Sequence, residues 1–362
     1  MLGRSRLRPI EKQVIVITGA TSGIGLATAR LAARRGARLV IAARNGAALR
    51  EVAEDLQDKG ARVHAVPTDV GDETGVERLA EAAIDTFGRI DSWVNDAGVP
   101  LYGYLDEIST EDHRRLFETN YWGVVHGSLA ALRAMRSEGR GAIINIGSVL
   151  SDVPVPLQGA YVASKHAVRG FTDALRADIA TSDPGISVTL IKPTSIATPY
   201  TEHARSYHDE APKTPPPRYS PWLVARAILR SAERPIREIY VGGGGPALLV
   251  MQKLMPGIFD LAMRQFVKPL QLSPSRRAAD FLQRDNLYGP RQDGRVRGNF
   301  PAHREHSLFT LAQMYPGASL LFGAAALGGL ALGLGARRRA HDRETARSRE
   351  DDRYSAVGRG AV

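Results

Sequence analysis

The stretch "VIVITGATSGIG", Val14 to Gly25, decides how this chain folds. It opens with a β-branched run typical of a buried strand, and glycines follow at positions 19, 23 and 25. Such glycines let the backbone turn tightly and approach a pyrophosphate at the amino terminus of the next helix. The stretch therefore predicts a strand, a phosphate-binding loop and a helix, although an ordinary tight turn would also use these glycines.

The chain then repeats this alternation of short apolar runs and longer amphipathic stretches as far as Val241. Six further runs are typical of strands: "RLVIA", "VHAVP", "SWVN", "AIINI", "SVTLIK" and "EIYV". Strands separated by helices form a parallel sheet, and right-handed crossovers cover both of its faces. We therefore expect an α/β fold, a Rossmann-like doubly wound seven-stranded parallel sheet with a C-terminal helical, apolar extension. Ligands should bind at the carboxyl ends of the strands.

Changes in composition divide the chain into five predicted regions. Residues 1–12 are predicted to form a basic N-terminal arm, and residues 13–270 a catalytic domain that binds both dinucleotide and substrate. A polar flexible linker is predicted at 271–317, a candidate membrane-associated helix at 318–336 and a charged disordered tail at 337–362. Within the catalytic domain, the proline-rich stretch between Thr194 and Pro221 predicts a lid or a binding loop. The apolar stretch "PALLVMQKLMPGIFDLAM" could line a lipophilic pocket or pack as a terminal helix.

Composition and charge exclude several classes of function. The 362 residues are 43% hydrophobic and include no cysteine, which excludes disulfides and a cysteine nucleophile and fits a reducing cytosol. The net charge of +10 lies mostly at the ends, with about +3 on residues 1–12 and about +6 on residues 271–362. We therefore expect no nucleic-acid partner, and an anionic membrane surface fits the charge at least as well. The N-terminus lacks the apolar core of a secretory signal, so export by that route is not indicated.

Two further motifs point to redox chemistry. Tyr161 and Lys165 in "GAYVASKHAV" are four residues apart, which places them on one face of a helix, although a chance pair on a solvated face has the same spacing. Arg44 ends the second strand in "IAARNG", where many dinucleotide folds have an acid for the ribose hydroxyl. An arginine there suits a 2′-phosphate and indicates NADP(H) rather than NAD, with a solvated loop cation as the alternative.

The order of the motifs resembles the short-chain dehydrogenase/reductase family. The family pattern T-G-x-x-x-G-I-G appears as "TGATSGIG", and the N-A-G element after the fourth strand as "NDAG". The helix asparagine appears in "TNYWG", the serine after the fifth strand in "INIGS" and the Y-x-x-x-K motif in "YVASK". The thirteen residues that separate Ser148 from Tyr161 match the family spacing, and the resemblance covers about Val14 to Val241.

The resemblance assigns residues to catalysis and to cofactor binding, and it implies no metal. The catalytic residues that it implies are Asn120, Ser148, Tyr161 and Lys165. The cofactor-binding residues that it implies are Gly19, Thr21, Ser22, Gly23, Ile24, Gly25, Arg44, Asp69, Val70, Asn95, Ala97, Gly98, Tyr161, Lys165, Pro193 and Thr198.

In the mechanism that the resemblance implies, Tyr161 is the general acid or base during hydride transfer between a nicotinamide and a carbonyl carbon. A free phenol has a pKa of about 10, so Lys165 and the oxidised nicotinamide are expected to lower the pKa of Tyr161 toward neutral pH. The resemblance also implies that Ser148 holds the carbonyl oxygen, that Lys165 binds the ribose hydroxyls and that Asn120 anchors a water.

Two positions depart from the family pattern. Asp96 replaces the second asparagine of N-N-A-G, a change expected to leave the role of Asn95 at the sheet end intact. Pro193-Thr194 replaces the usual Pro-Gly after the sixth strand, so the backbone beside the nicotinamide is expected to differ. Asp69 and Thr198 match the residues that in relatives contact the adenine and the carboxamide.

These features predict a cytoplasmic NADP(H)-dependent oxidoreductase that interconverts a carbonyl and a secondary alcohol on a small, lipophilic substrate. The resemblance implies a homo-oligomer, either a dimer or a tetramer. Two alternatives are a cofactor-binding regulator that kept the fold and lost the chemistry, and a membrane-tethered scaffold. The inactive regulator need not retain the four catalytic positions together, and this chain retains all of them.

The uncharged run Ala318–Ala336 is followed at once by Arg337, Arg338 and Arg339. As a helix its nineteen residues would extend about 28 Å, close to the thickness of the hydrocarbon layer of a bilayer. The run predicts an anchor on the cytoplasmic face of a membrane, either as a tail-anchored span or as a helix in the interface. Its alanines and glycines make it only weakly hydrophobic, and a soluble helix that docks on the enzyme or on a partner is the alternative.

Overall fold

A computed structural model describes residues 7–276, 285–291, 294–300 and 302–317. The strands are β1 (Val14–Thr18), β2 (Arg38–Ala43), β3 (Arg62–Pro67), β4 (Ser92–Asn95), β5 (Leu101–Tyr102), β6 (Gly141–Ile146), β7 (Ile186–Pro193), β8 (Arg205–Ser206), β9 (Glu210–Pro212), β10 (Glu238–Val241) and β11 (Leu272–Arg276). The helices are α1 (Gly23–Arg34), α2 (Gly46–Asp58), α3 (Glu73–Phe87), α4 (Thr110–Phe117), α5 (Gly123–Arg136), α6 (Gly159–Ser182), α7 (Pro221–Glu233), α8 (Gly245–Leu254), α9 (Pro256–Ala262) and α10 (Lys268–Leu270), with a C-terminal helix Leu308–Met314.

The main sheet has seven strands in the order β10-β7-β6-β4-β1-β2-β3. Each neighbouring pair is parallel, as the central pairs of β1 with β2 and with β4 illustrate. The order runs outward from β1 in both directions, as right-handed crossovers on both faces require. The predicted doubly wound, Rossmann-like sheet is confirmed.

Each face of this sheet carries its own hydrophobic core. Ile15 and Ile17 of β1 belong to the core under α1 and α7, together with Leu26. Val16, which lies between them, belongs to the opposite core, together with Leu79 of α3. Because helices cover both faces, all five residues of β1 are buried, which explains why its sequence is continuously β-branched.

The helical region between β5 and β6 consists of α4, a π-helical segment Glu118–Trp122 and α5. Ser109 caps α4, because its side chain accepts a hydrogen bond from the backbone N–H of Asp112 at 3.1 Å. The π segment carries Asn120, whose side chain is completely buried. A π-helical insertion widens one turn of a helix, and such insertions are frequent at functional sites.

The compact unit extends beyond the boundary at residue 270 that the sequence pattern indicates. It ends at Met314, so the described residues of the predicted linker 271–317 up to that point belong to it. β11 pairs with β9, and the C-terminal helix packs beside β10. In that contact, the side-chain oxygen of Gln313 accepts from the backbone N–H of Tyr240 at 2.9 Å. Composition predicts a polar linker here because the segment has few apolar residues of its own, but those few, such as Leu287 and Met314, are buried against the catalytic domain, and hydrogen bonds add to them.

The described part of the predicted N-terminal arm also belongs to this unit. Ile10 is completely buried, and the guanidinium of Arg8 contacts the carboxylate of Asp91. Among the described residues, no helix has both the length and the apolar character that crossing a bilayer requires. The candidate membrane segment Ala318–Ala336 and the tail 337–362 lie outside the described residues.

Candidate active site

The glycine-rich loop after β1 packs directly on the backbone that follows β4. Gly19 has a φ of +72°, and a β-carbon there would lie 2.9 Å from the Cα atom of Ala97. Thr18 joins the same two segments, because its hydroxyl oxygen accepts from the backbone N–H of Asp96 at 3.2 Å and of Ala97 at 3.3 Å. Position 19 therefore requires glycine, which leaves a backbone cradle of the kind that a phosphate can approach.

Helix α1 begins at this cradle. Gly23, its first residue, has a φ of +55°, and a β-carbon there would lie 3.3 Å from the methyl group of Thr198. The backbone N–H of Gly23 donates to the carbonyl of Arg295 at 3.0 Å, so a distant part of the chain reaches the start of the helix. The loop after β7 and the C-terminal segment thus both lie against the predicted phosphate-binding loop.

One cleft brings most of the predicted cofactor-binding residues together. It is lined by Gly19, Thr21, Ser22, Gly23, Ile24, Arg44, Asp69, Val70, Ala97, Gly98 and Thr198. The predicted cofactor-binding residues that do not line it are Gly25, Asn95, Tyr161, Lys165 and Pro193. Gly25 lies behind the loop, where a β-carbon would collide with the carbonyl oxygen of Gly19.

Tyr161 and Lys165 lie on one face of α6, as their spacing predicts, and both side chains are buried. The Nζ atom of Lys165 is 5.6 Å from the centre of the Tyr161 ring and donates to the carbonyl of Ile146 at 2.9 Å. It also lies 3.9 Å from the position that a β-carbon would take at Gly98, on the wall of the cleft. The pair therefore stands immediately beside the cleft.

Burial raises the pKa of Tyr161 to about 12, although hydrogen bonds with Tyr200 and Ser148 act to lower it. The expected lowering is assigned to Lys165 and the oxidised nicotinamide together, whereas the protein groups alone shift the pKa upward. The reason is that desolvation of the phenolate outweighs the hydrogen bonds to it, while Lys165 directs its ammonium to a backbone carbonyl. The structure thus favours the neutral phenol, the form that can donate a proton.

Asp96 and Lys165 have opposite pKa shifts with the same physical cause. Burial raises the pKa of Asp96 to about 7, and burial lowers the pKa of Lys165 to about 8. Each charge stabilises the other, which limits both shifts. The acid that departs from the family pattern is therefore electrically coupled to the lysine of the Y-x-x-x-K motif.

Ser148 follows β6 and is held in position by the turn after it. Its backbone N–H donates to the hydroxyl oxygen of Ser151 at 3.1 Å, and its own hydroxyl oxygen accepts from the backbone N–H of Leu150 at 3.1 Å. A side chain fixed in this way keeps its hydroxyl in one place, because the bonds that orient it come from the protein backbone.

The side chain of Asn120 forms hydrogen bonds to the backbone that follows the N-A-G element. Its side-chain oxygen accepts from the backbone N–H of Val99 at 2.8 Å, and its amide nitrogen donates to the Val99 carbonyl at 3.0 Å. The same nitrogen lies 3.3 Å from the hydroxyl of Ser164 on α6. Asn120 therefore connects the π segment, the cleft wall and the helix of Tyr161.

Asn95 closes the end of β4 beneath the cleft. Its amide nitrogen donates to Asn145 at 2.9 Å and to Ser128 at 3.1 Å, and its oxygen accepts from Trp93 at 2.8 Å. All of these partners are buried. The role at the sheet end expected for Asn95 is thus performed by a buried polar network, and the aspartate at position 96 leaves this network intact.

The threonine that replaces the usual glycine after Pro193 is accommodated beside β10. The hydroxyl of Thr194 donates to the carbonyl of Val241 at 3.0 Å. Gly242 makes room for it, with a φ of +109° and no β-carbon to collide with that hydroxyl. The sequence change at 194 is thus matched by a glycine on the neighbouring strand end.

Three features of the site were not found by sequence reasoning. Tyr200 stands edge-on to Tyr161, with ring centres 5.7 Å apart. Arg115 donates to the carboxylate of Asp69 at 2.6 Å. The guanidinium of Arg44 donates to the backbone carbonyls of residues 286–288, so this side chain is held by a distant segment of the chain. No local sequence pattern identifies any of these contacts, because each joins segments far apart in the chain.

The described residues contain no group of three His, Asp or Glu side chains that could hold a metal ion.

The apolar stretch after β10 is only partly packed. Phe259 and Met263 are buried with Val153, near the turn that holds Ser148, whereas Leu254 is 74% exposed.

Comparison with known proteins places this geometry in a family. A family model described as short chain dehydrogenase matches residues 13–209. The chain is 44% identical over 264 residues to YxnA of Bacillus subtilis, an uncharacterized oxidoreductase, and the match covers 72% of this chain and 74% of YxnA.

Two solved structures have similar folds. A short chain dehydrogenase/reductase from Burkholderia phymatum, in complex with NAD, is 29% identical with a TM-score of 0.62 and covers 75% of this chain and all of its own. An alcohol dehydrogenase from the archaeon Thermococcus sibiricus, complexed with 5-hydroxy-NADP, is 27% identical with a TM-score of 0.56 and covers 63% of this chain and 95% of its own. The chain described here is a member of the short-chain dehydrogenase/reductase family.

Proposed function

We propose that this protein is an NADP(H)-dependent oxidoreductase that interconverts a carbonyl group and a secondary alcohol. The observation that carries the proposal is the position of Tyr161, Ser148 and Lys165. All three are buried, the phenol is hydrogen-bonded to the serine, and the lysine reaches the wall of the cleft. This arrangement supports the assignment of Tyr161 as proton donor, Ser148 as the hydroxyl that binds the carbonyl and Lys165 as the cation beside the cleft.

The residues of the cleft fit a nicotinamide dinucleotide. Gly19 and Gly23 leave backbone space that a β-carbon would fill, and Arg44 supplies a positive charge at the end of β2. When bound, the nicotinamide supplies or accepts the hydride. Because one solved relative holds NAD and another 5-hydroxy-NADP, the preference for NADP(H) rests on Arg44 and its affinity for a phosphate.

In the direction of reduction, Tyr161 donates its phenolic proton to the carbonyl oxygen. Its raised pKa of about 12 keeps that proton on the phenol at neutral pH. Ser148 fixes the carbonyl oxygen through its hydroxyl, and Lys165 holds positive charge 5.6 Å from the centre of the phenol ring. In the direction of oxidation the same phenol must first lose its proton, so alcohol oxidation should require a higher pH than carbonyl reduction.

The substrate is proposed to be lipophilic. Leu150 and Val153, just after Ser148, belong to an apolar cluster with Leu248, Met251 and Phe259 from the helices after β10. An apolar cluster that begins two residues after Ser148 favours a hydrophobic alcohol or ketone.

The proposal is tested by measuring NADPH oxidation by the full-length protein against a panel of aliphatic, aromatic and steroid-like ketones. Turnover with at least one hydrophobic ketone is expected. Tight NADPH binding with no turnover on any member, and no reverse reaction with the alcohols, would instead identify a cofactor-binding regulator. Ligands that co-purify with the protein can be identified by mass spectrometry and added to the panel.

A further inference from the structure

Residues 285–291, called here the C-terminal strap, lie against the cofactor cleft although they are some 240 positions from Arg44 in sequence. Asn286, Pro290 and Arg291 line the same cleft as the glycine-rich loop. None of the family motifs extends to this segment, which lies well beyond residue 209. The outer wall of the cleft is therefore contributed by a part of the chain that follows the catalytic fold.

The strap holds the guanidinium of Arg44 by hydrogen bonds to three backbone carbonyls, and the carboxylate of Asp285 in the strap adds a favourable charge interaction. The Nη1 atom of Arg44 donates to Leu287 at 3.2 Å and to Tyr288 at 3.4 Å, and Nη2 donates to Asn286. A carbonyl oxygen carries no formal charge, so these hydrogen bonds orient the guanidinium without forming an ion pair with it. A guanidinium has five N–H donors, and those directed away from the strap can still bind an anion.

Arg115 also donates to the backbone carbonyl of Leu287. Nε of Arg115 donates to Leu287 at 3.1 Å, while Nη2 of Arg115 pairs with Asp69 at 2.6 Å. The carbonyl of Leu287 thus connects Arg44, at the end of β2, to the carboxylate after β3. One backbone oxygen of the strap thus links Arg44 and Asp69, the two residues that the resemblance assigns to the adenosine half of the cofactor.

The strap is itself firmly anchored. The side chain of Leu287 is completely buried in a cluster with Val99, Leu101 and Leu116. The hydroxyl of Tyr288 donates to Asp112 of α4 at 2.7 Å. Neither anchor involves Arg44, so the position of the strap carbonyls does not depend on Arg44.

We infer that the C-terminal strap positions Arg44 for the 2′-phosphate of the cofactor and thereby sets the selectivity for NADP(H) over NAD(H). An arginine that is already oriented loses less side-chain freedom when it binds a phosphate, and bidentate binding needs a fixed orientation. NAD(H) has no 2′-phosphate, so its binding depends on the strap much less. The inference rests on the proposed function, because it presupposes that Arg44 contacts a phosphate.

A competing arrangement would give the opposite result. If the strap carbonyls occupied the place of the phosphate, the cofactor would have to displace them from Arg44. The carbonyl of Arg295 already accepts from the N–H of Gly23 in this way at the start of α1. Under that arrangement, loosening the strap would strengthen the binding of NADP(H).

The experiment measures dissociation constants of NADP⁺ and NAD⁺ by isothermal titration calorimetry on the full-length protein. Leu287→Ala removes the buried anchor, and Tyr288→Phe removes only the hydroxyl that binds Asp112. Tyr207→Phe is the matched control, because Tyr207 donates to the same carboxylate at 2.8 Å from outside the strap. Arg44→Ala reports on the proposed phosphate contact itself. Unfolding midpoints are measured for each variant.

We expect Leu287→Ala to weaken NADP⁺ binding about tenfold while NAD⁺ binding changes less than about twofold, with a smaller change of the same kind for Tyr288→Phe. Tyr207→Phe should keep the wild-type ratio of the two constants. If Leu287→Ala fails to fold, Tyr288→Phe decides alone. If the strap variants keep the wild-type preference for NADP⁺ over NAD⁺ while Arg44→Ala loses it, the inference is overturned. The proposed cofactor is then still supported.

Tighter NADP⁺ binding in the strap variants also overturns the inference, in favour of competition between strap and cofactor. An unchanged ratio in Arg44→Ala overturns the proposed preference for NADP(H), and the inference with it. Equal losses of both cofactors in the strap variants show a general loss of the cleft, which contradicts a role in selectivity.

Discussion

Replacing Asp96 with Asn is expected to remove one component of the pH dependence of stability. Burial raises the pKa of Asp96 from 3.8 to about 7, partly offset by Lys165 and by the N–H of Gly25. Because the folded-state pKa is the higher one, the folded protein holds an extra proton between these values. The stabilisation linked to this proton is complete below about pH 4 and is lost as the pH rises through 7.

The structure sets the size of the effect. A shift of about 3 pKa units corresponds to about 4 kcal/mol, of which about 2.5 kcal/mol is lost between pH 5 and pH 8. Asp96 lines an open cleft that water reaches, so we expect about 1 to 2 kcal/mol over this range. Lys165 contributes in the opposite sense above pH 8, because its pKa is lowered to about 8, and the comparison therefore stops there.

The assay is urea unfolding at several values between pH 5 and pH 8. The control is Asp58→Asn, which removes an exposed carboxylate at the end of α2. The wild type and the control should lose stability in parallel as the pH rises, and Asp96→Asn should lose about 1 to 2 kcal/mol less. Three parallel curves would refute the assignment of a raised pKa to Asp96.

Three other changes test separate parts of the structure. Gly19→Ala forces a β-carbon to within 2.9 Å of Ala97 at a positive φ, so it should cost about 1 to 3 kcal/mol and weaken dinucleotide binding, measured by urea unfolding and calorimetry. Arg44→Asp should shift the ratio of kcat/KM values toward NAD, whereas equal efficiency of the unmodified protein with both cofactors would contradict the preference. Truncation before Ala318 should abolish sedimentation with membranes that survives an alkaline carbonate wash, and a full-length protein found wholly in the soluble fraction rules the anchor out.

The sheet could be predicted from the sequence because its signals are local. Each strand is a continuous apolar run, and each helix has its own amphipathic pattern, so the alternation is readable without knowing which strands pair. The glycine loop was predictable for the same reason. The backbone conformation at Gly19 and Gly23 is a property of a few consecutive residues, and the structure shows a positive φ at both.

The electrostatics and the C-terminal contacts were not predictable in this way. The upward shift of the pKa of Tyr161 depends on how completely the phenol is buried and on where Lys165 directs its ammonium, and neither follows from a four-residue spacing. The engagement of Arg44 depends on backbone carbonyls of the strap, which any residue type supplies. A sequence pattern cannot identify a contact whose acceptor is the main chain.

Single-turnover reduction of a hydrophobic ketone, followed by NADPH absorbance in the wild type and in Tyr161→Phe, tests whether Tyr161 is the proton donor. Removing the phenolic hydroxyl should lower the rate of the chemical step by about two orders of magnitude or more, the usual scale for a general acid. The dissociation constant for NADPH should stay close to the wild-type value, because Tyr161 does not line the cleft. A chemical step as fast in Tyr161→Phe as in the wild type would show that another group donates the proton.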